Sequence, residues 1–162
     1  MAQDIREDVI SYKGVKIMNN RVNQAVSLFE SGLSCSQAIL STYSPLFGIN
    51  QDDALRIARG FGGGMARLSE TCGAVTGAFM VISIKYPNID QQAKEETYSL
   101  IQKFAERFRN CNGSLNCGEL LGCDLNAPEG QEHFRKNSMM KSHCTKYVKN
   151  AAEIIEELLL LE

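Results

Sequence analysis

The chain has 162 residues, which is about the length of one domain. Its 17 Lys and Arg and 19 Asp and Glu give a net charge of −2, so it lacks the basic excess of a general nucleic-acid-binding protein. Apolar residues make up 44% of the sequence, which suits one core and excludes a disordered chain. We therefore expect a single domain over residues 1–162, with residues 1–16 as a flexible or peripheral N-terminal segment.

Three helices are predicted in the first part of the chain. The first ends at Gly32 and buries a face formed by Met18, Val22, Ala25, Val26, Phe29 and Leu33. The second begins at Ser34, which forms a capping-box pattern with Gln37, and Pro45 closes it. Asn50 is the expected cap of the third, whose apolar residues are Leu55, Ile57, Ala58 and Phe61.

The run Gly60–Gly64 interrupts the helical pattern and precedes the most apolar segment of the chain. Residues 72–86 are apolar on nearly every side, which is typical of a central buried helix, and Pro87 ends it. A long amphipathic helix follows, with one face formed by Ala93, Thr97, Leu100, Ile101, Phe104 and Phe108.

Three further helical segments are predicted towards the C-terminus: a short turn at Cys117–Leu121, a helix that begins at Pro128, and a last helix from Cys144 onward. No segment shows the alternation of a strand. The connections are short. We therefore predict an all-α fold, a compact single-domain helical bundle of about five to seven helices with a central apolar helix.

Six cysteines are the unusual feature of the composition. Their share of the chain is below the ~8–10% typical of a disulfide-built miniprotein. No two of them form a CxxC pair. Four stand at the starts of predicted helices: Cys35, Cys72, Cys117 and Cys144. Unpaired N–H groups and the positive dipole end stabilise a thiolate there, and a thiolate binds metals and attacks disulfides. The alternative is that these are inert buried thiols that fill space.

The contexts of these cysteines resemble a known family. The segment Cys72-Gly73-Ala74-Val75-Thr76-Gly77 looks like the core signature of the C_GCAxxG_C_C family of redox-active proteins. An earlier cysteine in Cys35-Ser36-Gln37-Ala38, a later one in Cys117-Gly118-Glu119-Leu120-Leu121-Gly122, and a last one in Cys144-Thr145-Lys146-Tyr147-Val148 are similar to the rest of that pattern. The resemblance covers roughly residues 20–162 and implies cysteine redox chemistry, with Cys111 and Cys123 outside the pattern.

Two mechanisms fit four cysteines at one site. As metal ligands, the four would hold an iron–sulfur cluster or a zinc ion: Cys35, Cys72, Cys117 and Cys144. With an iron–sulfur cluster, the protein would be an electron-transfer module. In thiol–disulfide exchange, one cysteine attacks and another resolves the mixed disulfide. Cys72 is the expected nucleophile, because Arg67 and the helix dipole would lower its pKa, although Glu70 would oppose this.

Three neighbouring residues are assigned to cofactor binding: Arg67, Gly73 and Gly77. Arg67 would balance the charge of a thiolate site. The alternative is that Arg67 lies on a solvated surface and takes no part in the site. Gly73 and Gly77 allow close approach, either to a cofactor or to the backbone of a neighbouring helix. In a third hypothesis the protein is a structural or ligand-binding accessory, linked to transport, in which the cysteines are inert.

The sequence also predicts a compartment and partners. The charged N-terminus has no apolar stretch of a secretory signal, and the longest apolar run falls short of the ~20 residues that span a bilayer. We expect a cytoplasmic protein with a redox partner that the sequence does not name, no nucleic-acid partner and no direct membrane insertion. The apolar residues 158–161 would pack on the core or form a homodimer contact.

Overall fold

The structure is a computed structural model, and it describes residues 19–160. Its α-helices in that range are α1 (Asn19–Glu30), α2 (Cys35–Tyr43), α3 (Gln51–Ala58), α4 (Gly73–Lys85), α5 (Gln91–Asn112), α6 (Cys117–Leu121), α7 (Pro128–Lys136) and α8 (Thr145–Leu160). The described residues form no strand, and one isolated bridge pairs Thr71 with Asn116. The predicted all-α class is confirmed, while the prediction for residues 1–16 lies outside the described range.

Eight helices slightly exceed the predicted five to seven, because α6 is a capped helix in its own right. Asn116 accepts a hydrogen bond from Glu119 N at its start, and Gly122 ends it in the left-handed conformation. Shorter helical turns lie at Ser44–Phe47, Arg59–Phe61 and Met140–Cys144, the last of them π-helical.

Several predicted helix signals are confirmed as contacts. Ser34 Oγ accepts a hydrogen bond from Gln37 N, and Gln37 Oε1 accepts one from Ser34 N, at 3.4 and 3.2 Å, so the capping box of α2 is complete. Asn50 caps α3 by accepting from Asp52 N at 2.7 Å. Pro128 is the first residue of α7, where its missing N–H costs no hydrogen bond.

The most apolar helix, α4, packs against α2, α5 and α8 as expected of a central element. Helix α1 packs on α8 and α2. The largest fully buried side chains come from the helices around α4, including Ile39, Tyr43, Phe104, Phe108 and Ile155. Leu158 is also buried in this core. None of the helices in residues 19–160 has the length and apolarity needed to cross a membrane.

Candidate functional site

One cavity of about 390 Å³ is lined by four cysteines from four parts of the chain. They are the four singled out in the sequence: Cys35, Cys72, Cys117 and Cys144, and all are buried and free of disulfides. Most of the remaining wall is apolar and includes Phe29, Leu33, Leu121, Leu125, Phe134 and Tyr147. The fold thus brings the predicted cysteines to a shared surface.

Three of these cysteines lie at helix starts as predicted. Cys35 is the first residue of α2, Cys72 is the N-cap of α4, and Cys117 is the first residue of α6. The prediction for Cys144 is wrong, because helical backbone already begins at Met140. Cys144 is the last residue of the π-helical turn, and the next N–H, of Thr145, donates to Met140 O. Cys144 therefore does not lie at a free helix N-terminus.

The segment between α3 and α4 is a left-handed turn. Gly63, Gly64, Met65, Ala66 and Arg67 all have φ between 55° and 68°. For a residue other than glycine this conformation costs roughly 1–2 kcal/mol. Hydrogen bonds hold the turn closed, from Ala66 N to Gly62 O at 2.9 Å and from Glu70 N to Gly64 O at 3.0 Å. The turn places Gly63 and Arg67 at the cavity.

Backbone hydrogen bonds join the Cys72 and Cys117 segments. Cys72 N donates to Leu115 O at 2.8 Å, and Cys117 N donates to Glu70 O at 2.6 Å, on either side of the bridge between Thr71 and Asn116. These bonds fix the spacing of two cysteines that are distant in sequence, whatever their side chains bind.

A close helix contact brings Cys35 to the start of α4. A Cβ on Gly73 would lie 3.1 Å from Cys35 Cβ, tighter than ordinary contact, so only glycine fits without a shift. Gly73 also lines the cavity. Gly77 lies one turn further along, where a Cβ would meet Ile39 Cβ at 2.9 Å and Ser36 O at 3.0 Å. Gly77 therefore serves the packing of α4 on α2, and Gly73 serves both packing and cavity.

Burial sets the protonation of two of the thiols. It raises the pKa of Cys72 to about 11 and that of Cys117 to about 12, because a thiolate loses its hydration in the interior. The nearby backbone N–H groups of Ala74 and Val75, at the start of α4, lower the pKa of Cys72, but by less. The expectation that Arg67 and the helix dipole make Cys72 a low-pKa nucleophile is thus wrong.

Cys35 and Cys144 behave differently, because each of these two thiols shifts the pKa of the other. The Cys144 side chain raises the pKa of Cys35, because it favours the protonated Cys35 thiol, and burial raises it further. The Cys35 thiol in turn lowers the pKa of Cys144, because it stabilises the Cys144 thiolate against the opposing effect of burial. Within the pair, Cys144 is therefore the thiol that ionises first.

Two exposed arginines line the cavity together with the thiols. Arg67 comes from the left-handed turn and was singled out in the sequence. Arg135 comes from α7 and was not, because α7 has the charged composition of a solvated helix and no motif that points to a site. Tyr147, which also lines the cavity, joins α8 to α6, because its hydroxyl donates a hydrogen bond to Leu120 O at 2.8 Å.

The remaining two cysteines lie apart from the cavity lining. Cys111 is exposed on α5, and Cys123 is half-buried just after α6. Burial and the neighbouring Asp124 raise the pKa of Cys123. The chemistry of four cysteine thiols suits iron–sulfur or zinc ligation. Over residues 19–160, however, no three or more His, Cys, Asp or Glu side chains are grouped so that they could hold a metal ion.

The comparison with protein families agrees with these cysteine positions. Residues 33–158 match the family model described as "Putative redox-active protein (C_GCAxxG_C_C)", a range that includes all four cavity cysteines. No curated protein and no solved structure matches the chain. Since the family model spans most of its length, the chain belongs to the C_GCAxxG_C_C family of redox-active proteins.

Proposed function

We propose that the protein carries out thiol–disulfide exchange and that Cys35 and Cys144 form a reversible disulfide. The observation that carries this proposal is that Cys35 and Cys144 are buried, free thiols that line one cavity, and each shifts the pKa of the other. A disulfide requires two cysteines whose Cβ atoms come within about 4.5 Å, and two thiols that act on each other across one cavity are the pair expected to reach that distance. The pair also supplies one thiolate and one thiol, the two forms that exchange requires.

The reaction consumes one substrate disulfide. The Cys144 thiolate attacks one substrate sulfur, the substrate S–S bond breaks, and one half leaves as a thiolate. Cys35 then loses its proton and attacks Cys144 Sγ, which releases the second half and closes the Cys35–Cys144 disulfide. Two electrons pass from the protein sulfurs to the substrate, and the proton from Cys35 goes to a departing thiolate.

Cys72 and Cys117 have a different part in this scheme. Their raised pKa values keep both thiols protonated near neutral pH, and a protonated thiol is a poor nucleophile. They therefore do not compete with Cys144 for the substrate. They line the cavity where the mixed disulfide would lie.

A second candidate is a metal-binding electron-transfer module. It is favoured by one observation: four buried cysteines line the same cavity, two more than a disulfide uses. Cys35, Cys72, Cys117 and Cys144 would hold an iron–sulfur cluster or zinc as thiolates, and a bound cluster would supply one-electron transfer. In this candidate, the positive charge of the bound metal must offset the cost of burying four thiolates and their mutual repulsion.

Thiol counting and elemental analysis on anaerobically purified protein test both candidates. For exchange, we expect oxidation to remove two of the six thiols, dithiothreitol to restore them, and peptide mapping to find Cys35 linked to Cys144. C35S and C144S abolish this link, whereas the matched control C111S/C123S retains it. If the protein keeps all six thiols under oxidation, exchange is contradicted. The second candidate is supported if the protein contains stoichiometric iron with visible absorption, or stoichiometric zinc, and each of the four Cys→Ser variants loses it.

A further inference from the structure

We infer that the cavity takes small disulfides whose halves carry an anionic group, and that Arg67 and Arg135 bind those groups. This inference rests on the proposed exchange reaction and names its substrate class. It depends on the placement of two cations and four thiols around a single cavity.

The two arginines reach the cavity from separate elements. Arg67 lies in the left-handed turn before α4, and Arg135 lies in the last turn of α7. A symmetric disulfide also has two ends, one on each side of its sulfur atoms. Two cations from different elements can therefore each contact one end while the sulfurs face the Cys35–Cys144 pair.

Charge around the cavity favours an anion. Its lining includes two arginines and, among the described residues, no Asp or Glu. Neither guanidinium has an ion-pair partner in the described part of the chain, whereas Arg21, Arg56 and Arg107 pair with carboxylates. Arginine binds carboxylates through two parallel hydrogen bonds, so an unpaired arginine beside a cavity is a ready contact for such a group.

The other polar side chains of the lining are already engaged. Gln37 Nε2 donates to Leu55 O, and Gln131 Nε2 donates to Leu125 O, both at 2.9 Å. Ser34 Oγ caps α2. The arginines are therefore the polar groups left to orient a ligand, and the apolar wall would contact its methylene groups.

The size of the cavity is consistent with this class. A volume of about 390 Å³ lies within the range of roughly 300–1,000 Å³ that small-molecule sites occupy. The cysteines are buried, so a substrate must enter the cavity to meet them. A flexible small disulfide can do so, whereas a disulfide held in a folded protein surface cannot.

Three disulfides of similar size and different charge test the inference: 3,3′-dithiodipropionate, bis(2-hydroxyethyl) disulfide and cystamine. Reduced wild-type protein is mixed anaerobically with each, and the rate of thiol loss is divided by the rate of the same probe with a small reference thiol. We expect the normalised rate to be highest for the dianion and lowest for cystamine. In R67Q/R135Q the ratio of the dianion rate to the neutral-probe rate falls about tenfold. This is the size expected when two exposed ion pairs between arginine and carboxylate are lost.

The control R56Q/R59Q removes the same charge from α3 and the turn that follows it, and its dianion-to-neutral ratio stays at the wild-type value. Equal normalised rates for the three probes, or the same ratio in R67Q/R135Q as in wild type, overturn the inference while the exchange reaction stands. Failure of all three probes to oxidise the Cys35–Cys144 pair overturns the exchange reaction and the inference with it.

Discussion

The four cavity cysteines share a surface but not a protonation state. A helix N-terminus stabilises a negative charge by about 0.3–1 kcal/mol at an exposed position, whereas burial of a charged group moves its pKa by up to several units. At Cys72 and Cys117 burial is the larger effect, and their pKa values rise to about 11 and 12. Of the four, only Cys144, whose thiolate the Cys35 thiol stabilises, has a lowered pKa.

The effect of Cys35 on Cys144 predicts the behaviour of a Cys35 variant. In C35A the Cys144 thiolate loses the thiol that stabilises it, so the pKa of Cys144 rises. The pH dependence of iodoacetamide alkylation at Cys144, followed by mass spectrometry in a C111S/C123S background, measures this change. C35S keeps a hydroxyl donor and is the matched control, with a smaller rise. An alkylation midpoint in C35A equal to that of the parent contradicts this stabilisation of Cys144 by Cys35.

At the scale of elements, the left-handed turn determines where three of the site residues lie. It carries Arg67, leads into Cys72, and supplies through Glu70 O the acceptor for Cys117 N. Met65, Ala66 and Arg67 adopt a conformation that residues with a side chain disfavour. The backbone hydrogen bonds to α6 compensate for that cost, which is typical of strained backbone near functional sites.

Gly64 allows a direct test of this turn. It has φ of 65°, and a Cβ there would lie 2.5 Å from Cys117 Cβ and 2.9 Å from Glu70 N. G64A therefore adds a clash to the backbone cost and should lower the free energy of unfolding by about 2–4 kcal/mol. Urea denaturation measures it.

The matched control is G48A. Gly48 has φ of 74°, and a Cβ there meets nothing within 4 Å, so only the backbone cost of about 1 kcal/mol applies. Equal losses of stability in G48A and G64A would show that the turn is not packed tightly against Cys117.

The sequence predicted elements whose signals are local. The capping box at Ser34, the Asn50 cap and the apolar residues of α4 all act within one helix, so pattern and capping rules find them. The left-handed turn has no such signal, because its non-glycine residues disfavour this backbone and its anchors on α6 are tertiary hydrogen bonds to Ser69 O and Glu70 O. The four cysteines were singled out by helix starts and family contexts, but their relative pKa values depend on burial and on the Cys35–Cys144 contact.

At the scale of the whole molecule, the cavity exists only when distant segments are packed together. Cys35 on α2 and Cys144 before α8 stand near opposite ends of the described chain. Tyr43 ties the same two elements, because its hydroxyl donates to Ala152 O at 3.2 Å in the core. Site and fold are therefore coupled, and an unfolded chain has thiols with ordinary pKa values near 8.5.

This coupling predicts a loss of stability in alkaline solution. The folded protein keeps protons on Cys72 and Cys117 up to pH values of about 11 and 12, whereas the unfolded chain releases them from about pH 8.5. The stabilisation is complete below pH 8.5 and is lost as pH rises through the folded pKa values. Each thiol contributes a slope of at most about 1.4 kcal/mol per pH unit over that window.

Urea unfolding under reducing, anaerobic conditions at pH 8, 9 and 10 measures this slope. In C72S and C117S one titrating thiol is replaced by a hydroxyl that stays neutral, so the decline between pH 9 and 10 becomes shallower in each variant, even where the variant is less stable at pH 8. C111S is the matched control, because Cys111 is exposed. The free energy of unfolding of C111S should fall with pH as steeply as that of the parent. Parallel declines in the parent, C72S and C117S would show that these thiols titrate alike in folded and unfolded protein, and so would contradict their burial as the cause of the raised pKa values.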